Sequence, residues 1–202
     1  MYSKLPNLVI GFHGCDRTLA ENVISGQDSM HGSKNDYDWL GNGIYFWEQN
    51  LERAWDWAKE QSKNPKSSIH EPAVIGAVID LGRCLNLCDS HHIDVVKTQY
   101  LLFKIESQLS NTPMPKNSNV KGNSDLLLRK LDCAVIESLH ETLKHIDEPP
   151  YDSVRGVFLE GDAIYEGSGF RSKTHIQICV RNPNCLKGLF IPRSDDGMSV
   201  IP

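Results

Sequence analysis

Gly41-Asn42-Gly43-Ile44-Tyr45-Phe46 is the stretch whose reading decides the fold. Glycines on either side of Asn42 permit backbone conformations that a Cβ forbids, and the β-branched and aromatic residues after them read as a strand. A tight turn therefore hands a tyrosine to a strand end. Upstream, Leu8-Val9-Ile10-Gly11-Phe12-His13-Gly14 does the same with a histidine: a short apolar run ends at an imidazole, followed by a glycine whose backbone a ligand can approach closely. Two strand ends built alike predict one pocket lined by both.

Working outward, residues 8–12 read as the first strand and 16–26 as a helix. In that helix Thr18 and Glu21 are spaced for a capping box, Leu19, Val23 and Ile24 share a face, and Gly26 stands at the C-terminal cap. Residues 27–40 are polar and read as a loop across the pocket mouth, ending in Asp36-Tyr37-Asp38-Trp39. Its aromatics either cover a ligand or pin the loop to the core. Asn50 caps a helix over 51–62, where Leu51, Ala54, Trp55 and Ala58 recur at i, i+3, i+4 and i+7. This sends Trp55 to the core and leaves Trp57 as the candidate pocket wall.

Residues 74–82 are β-branched and apolar almost throughout, as in a strand covered on both faces. A helical pattern follows over 92–108 through Ile93, Val96, Tyr100, Leu101 and Ile105. Residues 110–124, rich in Asn, Pro, Ser and Lys, read as a mobile insertion. The longest helix is predicted over 126–145, with Pro149-Pro150 stopping it. A strand at 156–159, a glycine-rich loop over 160–173 and a strand at 175–180 close the chain. Helices and strands mix without a strict βαβ rhythm, which predicts an α+β fold.

The 202 residues read as a single domain spanning 1–202, with 40% hydrophobic and 23% charged residues, ordinary globular values. A net charge of −5 argues against a generic grip on phosphate backbones, although a local basic groove stays open. Six cysteines without a leader-like N-terminus, and no apolar run near the roughly 20 residues of a membrane span, predict a cytoplasmic chain with free thiols. Cys84, Cys88, His91 and His92 have metal-ligand chemistry but no second pair at standard spacing, so no metal is expected.

At these residues the sequence resembles the catalytic domain of ADP-ribosyltransferases, in the branch of poly(ADP-ribose) polymerases and diphtheria-type toxins. Phe12-His13-Gly14, the helix after it, and Gly41 to Phe46 with a further helix occur in the family's order. The resemblance spans about residues 8–60 and 155–190. It implies the fold of that family, with two small packed antiparallel or mixed sheets and flanking helices. It also implies NAD as substrate, held by His13, Gly14, Gly43, Tyr45, Phe46, Trp57 and Arg171, with Trp55 an alternative to Trp57. His13 would bond a ribose hydroxyl, the Gly14 backbone would clamp the carboxamide, and the Tyr45 ring would stack on nicotinamide.

Scission of the glycosidic bond creates an oxocarbenium-like ribose, which calls for a polar or anionic neighbour. The family most often places a glutamate at the start of its C-terminal strand, whereas Lys173-Thr174-His175-Ile176-Gln177-Ile178-Cys179-Val180 contains no carboxylate. Gln177, His175 and Glu166 are the candidates for that role, Gln177 being the positional favourite. Tyr165, Glu166 and Phe170 fall where the family recognises its acceptor.

The resulting expectation is a toxin-like mono-ADP-ribosyltransferase. It would pass one ADP-ribose to a macromolecular acceptor, protein or nucleic acid, and would have no membrane partner but a neutralising protein partner. An NAD glycohydrolase of the same fold and a non-catalytic NAD or ADP-ribose-binding module are the alternatives.

Overall fold

A computed structural model of the chain describes residues 8–119 and 125–193. The first strand, β1 (Val9–Asp16), runs past His13 because every residue in it pairs in register with β3 (Pro72–Ile79), ending with Asp16 opposite Pro72. Asp16 then turns the chain. One carboxylate oxygen accepts the Thr18 N–H at 3.0 Å and caps α1 (Arg17–Ile24), while the other accepts the His70 and Glu71 N–H groups at 2.8 and 3.0 Å. An aspartate cap thus replaces the expected Thr18–Glu21 box, since it also ties down the approach to β3.

Next come β2 (Ile44–Glu48) and α2 (Leu51–Ser62), the latter capped by Asn50, whose Oδ1 accepts the Arg53 N–H at 3.0 Å. The chain continues through β4 (Cys84–Asn86), α3 (Ser90–Leu109), β5 (Asn117–Ser118), β6 (Leu128–Arg129) and α4 (Lys130–His145). It ends in β7 (Ser153–Phe158), β8 (His175–Val180) and β9 (Leu186–Phe190). Seven strands form one mixed sheet in the order β4-β7-β8-β2-β1-β3-β9, with β4 and β7 parallel and the other neighbours antiparallel. β5 and β6 make a separate two-stranded ribbon.

The architecture is α+β, but the expected pair of small packed sheets is corrected to one continuous sheet. Gly11 opposite Glu48 and Phe12 opposite Trp47 are the pairs that join β4-β7-β8-β2 to β1-β3-β9. The segment 126–145, read as one helix, opens with β6 and turns helical at Lys130. Within the stretch read as a mobile insertion, the Asn117 amide accepts the Leu131 and Asp132 N–H groups at 2.9 and 3.3 Å and donates to Asp132 at 2.9 Å. That part is pinned to the start of α4, and residues 120–124 lie outside the described residues.

Strand alternation assigns each side chain to one face of the sheet. On one face α4 packs Ile136 and Leu139 onto Leu85, Val154 and Cys179, and α2 packs Ala54 onto Trp47 and Val74. Trp55 and Trp57 both border the latter cluster, so the helix does not separate them as its periodicity suggests. On the other face α1 covers Cys15, Ala73 and Ile75, beside a cluster built on Ile44, Phe46 and Ile178. The apolar stripe of α3 is not a core face, for Ile93, Leu101 and Ile105 are 50–51% exposed. Its buried residue is Gln99, whose amide donates to the Ser138 and Thr142 hydroxyls of α4 at 2.8 and 3.0 Å.

Candidate functional site

The Gly41-Asn42-Gly43 turn is a latch. Gly41 has φ +80°, and a Cβ there would strike the Glu137 carboxylate and the Arg181 guanidinium. The backbone N–H and side-chain amide of Asn42 donate to Glu137 at 2.8 and 2.9 Å. Arg181 donates to the Asn42 carbonyl at 3.0 Å and to both Glu137 oxygens at 2.5 and 3.1 Å. Gly43 exchanges backbone bonds with Ser33. Glycine here admits two charged groups rather than a ligand.

Tyr45 is committed to the same turn. Its hydroxyl donates to the Gly41 carbonyl at 2.7 Å and accepts the Leu40 N–H at 3.1 Å, and its ring packs against the cluster of Leu40 and Cys179. Burial pushes the phenol pKa up, so it stays protonated. Behind the turn, Asn42, Gly43, His140, Tyr151 and Arg181 help to line a cleft of about 920 Å³. Neither His13 nor Tyr45 borders it.

His13 Nδ1 lies 2.8 Å from the Tyr45 carbonyl oxygen, beyond the two pairs that join β1 to β2. A carbonyl only accepts, so Nδ1 carries the proton and Nε2 keeps its lone pair. Burial lowers the imidazole pKa, the Tyr45 bond opposing. The ring is tilted on Phe46 with centroids 5.8 Å apart, and Phe46, wholly buried, alternates with Tyr45 along β2. The imidazole and the phenol therefore occupy opposite faces. A backbone bond connects these residues where a shared cleft was expected.

Gly14 lies on the face covered by α2, where a Cβ would come within 2.5 Å of the Ala54 carbonyl oxygen and 3.1 Å of the Trp57 ring. Around it the molecule gathers a second set of groups. Trp47 has its ring 5.6 Å from that of Trp57 and 6.2 Å from that of His175, and His175 lies flat on Phe158 at 4.9 Å. Arg53, one helical turn before Trp57, meets Glu160 just beyond β7 at 3.4 Å, with both side chains only 12–13% exposed. Gln177 stands opposite Trp47 on one side and Gly156 on the other, so it shares this face with His175 as alternation predicts.

Among the described residues, four buried nitrogens in this neighbourhood have no hydrogen-bond partner: Trp47 Nε1, Arg53 Nε, Arg53 Nη1 and His175 Nε2. Trp47 and His175 are each 5% exposed. His175 Nδ1 sits 2.6 Å from the Lys173 carbonyl oxygen, which places the proton there and leaves Nε2 an acceptor. Its pKa falls to about 4 through burial, with the Lys173 bond opposing and the Arg53 charge assisting. The Glu160 carboxyl is pushed up by burial, against the Arg53 charge and bond, and Asp125 adds to the rise.

Other candidates lie apart. Glu166 is exposed between Ala163 and Arg171, which bridge to close a hairpin, and Arg171 donates to the Gly161 carbonyl at 3.3 Å. Among the described residues no group of three His, Cys, Asp or Glu is placed to hold a metal ion, and no helix is long and apolar enough to cross a membrane.

Sequence reasoning passed over Arg53 and Glu160. On α2 the exposed charges Glu52, Asp56 and Glu60 repeat every fourth residue, and Arg53 falls off that row and onto the Trp57 row. That displacement was the available signal. Glu160 offered only its position after a strand.

No family model matches the chain, and no solved structure matches it. Among curated proteins it is similar to the uncharacterized protein MJ0359 of Methanocaldococcus jannaschii, with 27% identity over 198 residues covering 88% of this chain and 84% of that one.

Proposed function

We propose that the chain is an ADP-ribosyltransferase that breaks the nicotinamide–ribose bond of NAD and passes one ADP-ribose to a macromolecular acceptor. The observation that carries this reading is the set of four unpartnered buried nitrogens beside Gly14 and His175, where the sequence resemblance seats the reacting end of NAD. Buried polar atoms are nearly always bonded in folded proteins, and each exception calls for an explanation, a catalytic role or a bound ion or water among them.

Each group has a task in that reaction. Gly14 packs against α2 beside Trp57, whose ring is tilted on that of Trp47, and these indoles would supply the aromatic wall for a pyridine ring. His175 Nε2, a neutral acceptor, suits a ribose hydroxyl. Glu160 is the partly buried carboxylate of the set, and its charge suits the electron-poor ribose that strand β8 leaves without an anion. Tyr45 acts at a distance by fixing the turn at the entry to β2.

A second reading, a module that binds NAD or ADP-ribose without cleaving it, draws on the engaged Tyr45 hydroxyl and on the separation of the His13 and Tyr45 rings. Incubating the purified chain with adenylate-labelled NAD and cell lysate separates the readings. The transferase releases nicotinamide and labels a macromolecule, and His175→Ala loses both. Free ADP-ribose without a labelled macromolecule identifies a hydrolase. Bound NAD with no nicotinamide released over hours retires the enzyme reading.

A further inference from the structure

We infer that Arg53, Trp47 and His175 form a subsite for an oxyanion of the ligand, a phosphate or carboxylate group, and that the Glu160 carboxylate stands in for it in the free chain. The inference deepens the NAD reading by naming what the site grips, and its chemistry also stands apart from that reading.

The argument begins with what Glu160 fails to do. It meets Arg53 through a single nitrogen, Nη2, at 3.4 Å, whereas charge-assisted pairs close to about 2.7–2.9 Å and Arg–carboxylate pairs are frequently bidentate. Arg53 Nε and Nη1 keep their hydrogens unserved, and the indole N–H of Trp47 does too. Three donors and one acceptor, His175 Nε2, define the deficit: the missing partner is rich in acceptor oxygens and carries at least one hydroxyl. A phosphate next to a ribose has that composition, and so has a hydroxylated carboxylate.

Glu160 is poorly held and therefore exchangeable. Arg53 faces it from α2, Arg129 and Asp125 act on it from beside α4, and the residues after it form the exposed hairpin closed by Ala163 and Arg171. When an incoming oxyanion takes Arg53, the Glu160 charge loses its partner. In the reaction proposed above, the ribose that becomes positive then meets an unneutralised carboxylate. Binding the anion and arming the carboxylate become one event.

Isothermal titration of the full chain with inorganic pyrophosphate, ADP-ribose and nicotinate tests the subsite and separates its sources. At least one probe should bind. Arg53→Met should weaken that probe at least tenfold, and Glu160→Gln should strengthen it about tenfold, because removing the internal competitor raises the fraction of binding-competent chain. Phosphate probes responding in this way identify a nucleotide phosphate as the ligand group, and nicotinate alone responding identifies a carboxylate.

Thermal melting checks that both variants fold. If Arg53→Met does not, Glu160→Gln decides alone. Unchanged affinities in the two variants, or no probe bound by either the wild type or Glu160→Gln, overturn the subsite. Pyrophosphate binding with the expected variant responses but no response to ADP-ribose leaves the subsite standing and removes the NAD reading. Nicotinamide release at wild-type rate in Arg53→Met does the reverse.

Discussion

Two partly buried arginine–glutamate pairs flank the same sheet, and they are built on opposite principles. Arg181 and Glu137, with 17% and 29% side-chain exposure, close two contacts with each other and saturate the Asn42 backbone and amide as well. Arg53 and Glu160, more deeply buried at 13% and 12%, share one long contact and leave two guanidinium nitrogens idle. For Glu137, burial alone would raise the pKa, but the Arg181 bond, the bond from the Asn42 backbone N–H and the Arg181 charge outweigh it and hold the carboxyl below its ordinary range. For Glu160 burial wins. Burial alone therefore does not mark a site, because the saturated pair holds a turn in place and the unsaturated one has capacity left for something else.

The largest effect that could break this comparison is on stability. Glu137→Ala leaves the Arg181 charge and two Asn42 donors without a partner in a half-buried setting, and removal of one member of such a pair costs about 3–5 kcal/mol. Urea unfolding should show that loss as a lower midpoint. Glu160→Ala should cost less than half as much in the same assay, because the contact it removes is single and long. Equal losses would mean that both pairs are structural, and the proposed site would lose its main support.

How much of this was legible in the residues follows from the same contrast. The turn, the strand after it, the α+β class and the face shared by His175 and Gln177 are local or periodic properties, and these the sequence displays. The purpose of the glycines was not legible. Gly41 looks the same in the chain whether its missing Cβ admits a ligand or, as found, Glu137 arriving from 96 positions away. The single sheet hinges on two residue pairs, Gly11 with Glu48 and Phe12 with Trp47, and which distant segments pair is not a property of either segment alone. Tyr45 stands at the start of β2 as expected, but β1 runs on past His13 to Asp16, and whether the two rings share a face depends on that register; here they do not.

A smaller effect sharpens the comparison through its sign. Glu137 has a folded pKa below the ordinary carboxylate value of about 4.3, so its contribution is complete above that pH and is lost as pH falls through the folded value. Glu160 has a folded pKa above the ordinary value, with Arg53, Asp125 and Arg129 as the charges acting on it. Its ionised form is a penalty absent at low pH, which grows as pH rises through the folded value. Melting temperatures measured from about pH 2 to 8 should therefore diverge in opposite directions. Glu137→Gln should fall further behind the wild type as pH rises, while Glu160→Gln should gain on it. Parallel curves would erase the distinction between the pairs.

The smallest effect is read from a titration rather than from unfolding and tests whether the unsaturated pair really lies in a dry neighbourhood. His175 should stay neutral down to a midpoint of about 4, followed by its ring resonances in an NMR titration, because burial disfavours the imidazolium, with the Arg53 charge assisting and the Lys173 carbonyl bond opposing. Removing the Arg53 charge as Arg53→Met should move the midpoint up by a fraction of a unit, since burial is the larger cause and remains. Should His175 instead titrate near 6.5, the value of a solvated imidazole, water already reaches Nε2. The four idle nitrogens would then be served by solvent, and the Arg53–Glu160 pair would be an ordinary wet ion pair with nothing held in reserve for a ligand.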